Sequence, residues 1–505
     1  MARQKVGERV FVHKKIMIVS RPITLSLSQL TDHNKDEFIN SSYPLLSTPT
    51  TQNSRLQRFQ IESSRLLYLG LPLIVAHLAI IGMAVTDTIM AGQASAVDLA
   101  GLAIGSGLWI AASVMVIGLI SALSPIIAQL RGAKRLDEIP LQVQQGMFIA
   151  AVIGLLMTLI LWLAPLLLNA MTLETEVRRV ASGYLQILAL AALPLAFASL
   201  FRNCSEAMGY TRPTMVINLG AFLANILLDY ALVFGRWGLP EMGGVGCGIA
   251  TTALNWVILL LFVVVVSRHK GLRPLRLLRL PRSINATAIR HQLHIGLPIA
   301  VGITGEVLFF GIMALLLAPL GAIVVGAHQV AQNFGALIYM IPLGLAQAIA
   351  IRVAHSVGSA APQHARRAAW NGVAVGTLIA VVTALITIIW RSDIASIYSS
   401  DPQVQALTQK LLLFCGAYQL FDALQITAWG ALRGYKDTRA AMVIQLTSYW
   451  LIGFPIGYSL ALTEWWQPIT GLPAMGAQGF WIGIICGLAA ATVMLNGRLW
   501  KVSQP

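Results

Sequence analysis

Charge is scarce in this chain: only 11% of its 505 residues are Asp, Glu, Lys or Arg, and the 20 acidic residues are outnumbered by 35 basic ones. So little charge beside 57% apolar residues and a mean hydropathy of +0.73 excludes a globule that hides its apolar surface in one aqueous core. Cysteine is equally sparse. Cys204, Cys247, Cys415 and Cys486 are far apart and lack metal or redox spacing, so they read as small residues for helix packing. No His-Glu-x-x-His zinc motif, phosphate-binding loop or nucleophile elbow occurs, which argues against an intramembrane enzyme, the reading from another functional class. The net charge of +15 is not gathered on one stripe, as a nucleic-acid partner would require, but falls in short loops between apolar runs. The first sixty residues are polar and basic and lack the apolar core of a signal peptide. They read as a mostly disordered extension, with Met17 an alternative start.

What is present is length. A helix crosses the hydrocarbon of a bilayer in about 20 residues, and twelve apolar stretches are long enough. They run over 66–91, 103–130, 147–168, 183–201, 213–235 and 245–267, then 293–318, 325–351, 371–390, 409–430, 441–462 and 477–498. The basic residues alternate by side. Arg131, Lys134 and Arg135 follow the second span, Arg352, Arg366 and Arg367 the eighth, and Arg433, Lys436 and Arg439 the tenth. The central connection carries Arg268, Lys270, Arg273, Arg276, Arg279, Arg282 and Arg290 without an acid. Because cytoplasmic loops retain Lys and Arg, both termini are expected in the cytoplasm.

The chain also repeats itself at an offset near 226. Gly70-Leu71-Pro72 returns as Gly296-Leu297-Pro298, Gly132 and Gly146 as Gly358 and Gly372, and Gly209-Tyr210 as Gly434-Tyr435. Six spans per half make the halves parallel repeats about an axis along the membrane normal, the arrangement from which alternating access is built. The expected divisions are the extension over 1–60, an N-lobe over 61–270, a basic cytoplasmic linker over 271–291, a C-lobe over 292–500 and a cytoplasmic tail over 501–505. The fold class is therefore an all-α polytopic membrane protein of two six-helix lobes.

Within the spans lie four acids: Asp87 in the first, Asp229 in the fifth, Glu306 in the seventh and Asp422 in the tenth. A carboxylate near the bilayer centre costs about 2.5–3.5 kcal/mol on insertion scales, so its retention marks an ion or proton pathway. No Lys or Arg shares the middle of these spans, which leaves a proton or a metal cation as the counter-charge. A shift by 226 takes Asp87 to Met313 and Glu306 back to Ile80, so the scaffold is duplicated and its acids are not. Asn218, Asn225 and Asp229 stand at i, i+7 and i+11 on one helical stripe, and Tyr418, Asp422 and Gln425 at i, i+4 and i+7 on another. Such oxygen-rich sets suit hard cations, while Asn218 and Gln425 serve equally well as interhelical hydrogen-bond partners. His328, Gln329 and Arg352 read as structural, at an interface or in packing. Phe309, Phe310, Met313, Tyr339 and Met340 would suit either a plastic drug cavity or ordinary packing.

These residues bear a resemblance to a known family. The stretch Val85-Thr86-Asp87-Thr88-Ile89-Met90-Ala91-Gly92 resembles the first-helix signature of multidrug and toxic compound extrusion (MATE) transporters, in the NorM branch. Ala327-His328-Gln329-Val330-Ala331, Ile351-Arg352-Val353, Gly243-Gly244-Val245-Gly246-Cys247-Gly248 and Leu432-Arg433-Gly434-Tyr435-Lys436-Asp437 are similar to further family motifs in their proper order, over about residues 60–500. The resemblance implies two lobes forming a V in a bacterial inner membrane. It implies a monomeric secondary transporter, needing no cofactor beyond a coupling cation, Na+ or H+, that exports organic cations and amphipathic drugs. It assigns Asp87, Asn225 and Asp229 to an N-lobe cation site, and Glu306, Asp422 and Tyr418 to a C-lobe site, the candidate Na+ site. At position 229 some NorM relatives have Asn, whereas proton-coupled branches have Asp. The alternative within transport is a lipid-linked-precursor flippase of the same superfamily, which would favour a basic cavity.

Overall fold

In lipid a backbone must satisfy its own hydrogen bonds, and long apolar runs do so as helices. The computed structural model describes residues 55–280, 283–465 and 474–504, and within them twelve helices are long and apolar enough to span a membrane. They are α1 (Arg55–Ala94), α2 (Ala96–Gly132), α3 (Leu136–Asn169), α4 (Thr175–Ala207), α5 (Arg212–Val233) and α6 (Gly244–Arg268). In the second half come α7 (Ala286–Leu320), α8 (Ala322–Gly358), α9 (Pro362–Ile389), α10 (Pro402–Gly434), α11 (Thr438–Leu462) and α12 (Ala477–Val502). All twelve stretches read from the sequence are present. Most extend further than their apolar runs, because the polar end residues continue the helix beyond the hydrocarbon. α1 starts at Arg55, inside the stretch the composition assigns to the N-terminal extension; the rest of that stretch, and Arg282 of the linker, lie outside the described residues. α11 is not regular, since Thr447–Gly453 forms a π-helical turn in its middle.

α1–α6 and α7–α12 each enclose a buried core, one around Leu185, Leu200 and Phe201, the other around Ile349, Leu412 and Phe480. The lobes meet where α1 crosses α8, where α7 crosses α2, and where the ends of α2 and α8 cross at the basic loops. The repeat is visible in that contact. A methyl group added to Gly118 would lie 2.7 Å from the Ala300 backbone, and one added to Gly344 would lie 2.7 Å from the Ile74 backbone. Adding 226 to 118 gives 344, and adding it to 74 gives 300, so the two contacts are one contact repeated about the axis between the lobes. The same holds nearer the basic loops. A methyl on Gly132 would lie 2.1 Å from the His355 carbonyl oxygen, and one on Gly358 would lie 2.0 Å from that of Gln129.

All these contacts fall in the halves of the helices next to the basic loops. Toward the other side the same four helices are exposed: Val85 and Ile89 of α1, Ile110 of α2, Leu315 of α7, and Gln329 and Asn333 of α8. Gly107 of α2 and Gly311 of α7 there have no atom near enough to meet a side chain. The molecule is thus a V, joined at the side of the basic loops and open at the other.

Candidate functional site

Each lobe buries its own acids. In the N-lobe, Asp87 of α1 accepts hydrogen bonds from the Asn225 amide of α5 (3.0 Å) and the Thr251 hydroxyl of α6 (3.2 Å). An oxygen of Asp87, an oxygen of Asp229 and the Sγ of Cys247 lie within 4.8 Å of one another, all on buried residues. Cys247, which the sequence presents as a packing residue, also donates to the Asp87 backbone carbonyl (3.6 Å). Its glycine-rich surroundings explain the placement. A methyl on Gly246 would lie 2.9 Å from the Leu232 backbone, so α6 and α5 approach closely enough to bring Cys247 to the acids.

Neither carboxyl oxygen of Asp229 accepts a hydrogen bond from the described protein groups, and neither does Asn225 Oδ1. Two buried carboxylates this close cannot both stay charged without a proton or a cation between them. Asn218, on the same stripe of α5, does not join them, and its amide donates instead to the Thr214 carbonyl of its own helix (2.8 Å).

In the C-lobe, Glu306 of α7 accepts from the Gln445 amide of α11 (2.9 Å) and lies within electrostatic reach of Asp422, with the Tyr449 hydroxyl beside it. Tyr418 and Gln425 flank Asp422 along α10, as the helical stripe predicts. The oxygens Asp422 Oδ1, Gln425 Oε1, Gln445 Oε1 and Gln419 Oε1 accept no hydrogen bond from described groups. A cavity of ≈ 10 Å³, about the room of one water, lies against Tyr339, Thr383, Gln419 and Asp422. Oxygen donors of this number and kind fit a hard monovalent or divalent cation.

Around this site Phe309 stacks on Tyr449 with ring centroids 5.2 Å apart, and Trp481 stands edge-on to Tyr418 at 6.0 Å. His328 is buried against Trp481 (6.1 Å), inside the lobe, so of its two structural readings packing holds and an interfacial place does not. Gln329 is exposed toward the open side and bonds Asn333 of its own helix (3.1 Å). Phe309 and Met313 are buried as packing residues, while Phe310, Tyr339 and Met340 remain half-exposed.

A third polar set joins the lobes, and of it the sequence reading singles out only Arg352, as a structural residue. Arg352 of α8 donates to Glu62 of α1 from Nε (2.6 Å) and from a terminal nitrogen (3.1 Å), both side chains buried. Beside it, Gln347 of α8 bonds His77 of α1 (3.0 Å) and donates to Glu206 at the end of α4. Thr214 of α5 also donates to Glu206 (3.0 Å). Gln129 of α2 donates to the Gly434 carbonyl of α10 (3.0 Å). The signal in the sequence was Glu62 and Glu206 themselves, acids just beyond the basic-loop ends of apolar spans.

A chain of twelve spanning helices in two repeated halves has counterparts among known proteins. The MatE family model matches residues 72–231 and 298–459, one match in each half of the repeat. The chain belongs to the MATE family. It is accordingly a secondary transporter of the membrane and not an enzyme. Multidrug resistance protein MdtK of Yersinia pestis (strain Pestoides F) is 38% identical over 452 residues, covering 89% of this chain and 98% of that protein. The protein of the same name from Pectobacterium atrosepticum is 39% identical over 445 residues, covering 88% and 96%. Among solved structures, the eukaryotic MATE transporter AtDTX14 superposes with a TM-score of 0.78 at 21% identity, over 88% of this chain and 98% of that one. A MATE transporter solved in an outward-facing conformation gives 0.78 at 15% identity, over 90% and 99%. At these identities the two structures speak for the fold alone.

Proposed function

We propose that this MATE-family transporter is a NorM-like multidrug exporter of a bacterial inner membrane, releasing cationic and amphipathic drugs outward in exchange for Na+ or H+. The carrying observation is the pair of buried acid clusters, Asp87 with Asp229 in one lobe and Glu306 with Asp422 in the other, each keeping oxygens without a protein donor. The relatives named for multidrug resistance support the choice of cargo. With both termini and the basic loops in the cytoplasm, the open side of the V faces outward.

A cation entering from outside reaches Asp87, Asn225 and Asp229 in the N-lobe, or Glu306, Asp422 and Tyr418 in the C-lobe. It neutralises acids whose charge would otherwise hold a cationic drug. Exchange requires that cation and drug favour opposite facings, so that each lowers the affinity of the other by the same factor. The transporter works as a monomer, and needs no cofactor apart from the coupling ion.

Ethidium efflux from cells expressing the wild type, Asp87→Asn, Glu306→Gln or Asp422→Asn tests this, with sodium present or replaced by potassium. Sodium-dependent efflux lost in the variants supports the exporter and names the ion. Efflux indifferent to sodium but abolished by a protonophore makes the ion H+. A folded wild type that moves no ethidium under either gradient overturns the multidrug reading in favour of the flippase.

A further inference from the structure

Away from both acid clusters, at the basic-loop end of the C-lobe, a cavity of ≈ 510 Å³ opens between the start of α9 and the end of α12. Its walls are Gln363, Arg366, Arg367, Trp370, Asn371 and Trp500. The Arg366 guanidinium lies over the Trp500 ring (4.9 Å from its centroid), and Trp500 meets Trp370 edge-on at 6.2 Å. Among the described residues neither Arg366 nor Arg367 has an acidic partner in an ion pair. Two guanidinium groups without a counter-charge therefore share one concave wall with amide and indole donors.

One further observation selects the anion. Tryptophans at the ends of spanning helices sit at the headgroup level, which places the cavity at the membrane surface. α9 and α12 both pack on α10, whose Thr427, Ala428 and Ala431 toward this end are fully buried, so the cavity is floored by packed helices. A charged cavity at the headgroup level, walled by two interfacial tryptophans, matches the phosphate of a membrane lipid.

We propose that this cavity binds the headgroup of an anionic phospholipid from the leaflet on the basic-loop side, with Arg366 and Arg367 holding the phosphate and Trp500 fixing the Arg366 fork. The site is separate from cargo and coupling ion, and the lipid bridges α9 and α12.

Native mass spectrometry of the purified full-length protein tests this, with phosphatidylglycerol, phosphatidylcholine and inorganic phosphate as probes. Wild type is expected to retain phosphatidylglycerol in preference to phosphatidylcholine. Each surface guanidinium is worth about fivefold in affinity, so Arg366→Gln/Arg367→Gln should lose about 25-fold. Arg391→Gln, on the opposite side of the C-lobe, should change nothing. If the double variant does not fold, Arg366→Gln alone serves, with a loss of about fivefold. Equal retention of the two lipids, or undiminished phosphatidylglycerol binding in the arginine variant, overturns the proposal. So does displacement of the lipid by inorganic phosphate, which would make the ligand a free anion.

Discussion

Glu62 at the foot of α1 grips Arg352 of α8 through two hydrogen bonds, of 2.6 and 3.1 Å, and the pair joins the two lobes on their closed side. Arg352 is 1% exposed, so the pair exists only while the lobes exclude water there. Replacing one member of a buried pair leaves the other charge without a partner, at a cost of about 3–5 kcal/mol. Glu62→Gln should therefore shift the population away from the facing seen here, toward one open at the basic loops. Spin-label distances across that end should lengthen. The double change Glu62→Gln/Arg352→Gln removes both charges and should recover part of the shift, while additive effects of the two single changes would refute direct coupling.

The glycine pair tests the same interface by shape. At Gly132 and Gly358 the neighbouring atom is a backbone carbonyl, 2.1 and 2.0 Å from where a Cβ would stand, and a carbonyl cannot rotate away as a side chain can. Gly132→Ala and Gly358→Ala should each prevent full closure at the basic loops, with similar effects because the two sites are symmetry mates. Gly107→Ala has open space on the other side and should be silent. Cysteine-labelling rates at the basic-loop end measure both.

Thr251 separates a supporting role from an acid's role in the N-lobe. Its hydroxyl donates to Asp87 at 3.2 Å, and Thr251→Val keeps the shape while withdrawing that donor. A lost hydrogen bond to a charged group is worth about 1.5–3 kcal/mol, so cation affinity or coupling efficiency should fall by about tenfold or more without loss of fold. Asp229→Asn removes a charge as well and should cost more. Transport titrated against the sodium or proton gradient reads both, and equal losses would mean that Thr251 does more than orient Asp87.

Much of this architecture was legible because it follows from periodicity and charge. Twelve apolar runs gave the helices, and the stripe of Tyr418, Asp422 and Gln425 placed three side chains correctly from helical spacing alone. The repeat carried more than it disclosed: Gly132 and Gly358 stand in sequence as a bare echo, and only the crossing of the lobes reveals them as one contact made twice. Partners from other helices stayed hidden for a physical reason. Thr251, Cys247 and Gln445 reach the acids through interhelical packing, and no spacing along one helix encodes which face of another will meet it. Asn218 shows the converse, since it shares the stripe of Asn225 but spends its amide on its own helix.

Lys436 sits outside the spans, in the turn between α10 and α11, and burial pulls its ammonium down from 10.5 to about 8. His291 is the titratable neighbour that feels its charge, and it is neutral over the range that follows. Below pH 8 both folded and unfolded chains carry the proton, so the fold bears the whole cost of keeping the charge from water. Between pH 8 and 10.5 the folded chain releases its proton first, the unfolded chain binds more protons, and stability rises with pH. Lys436→Met is neutral at every pH and meets the same positive φ of 63°, so backbone strain cancels in the comparison. The variant should be more stable than wild type below pH 8, by up to about 3 kcal/mol, and the gap should close by pH 10.5. Melting temperatures of the two purified proteins from pH 7 to 10.5 measure this, and a gap that stays constant across the range would show that Lys436 does not titrate there.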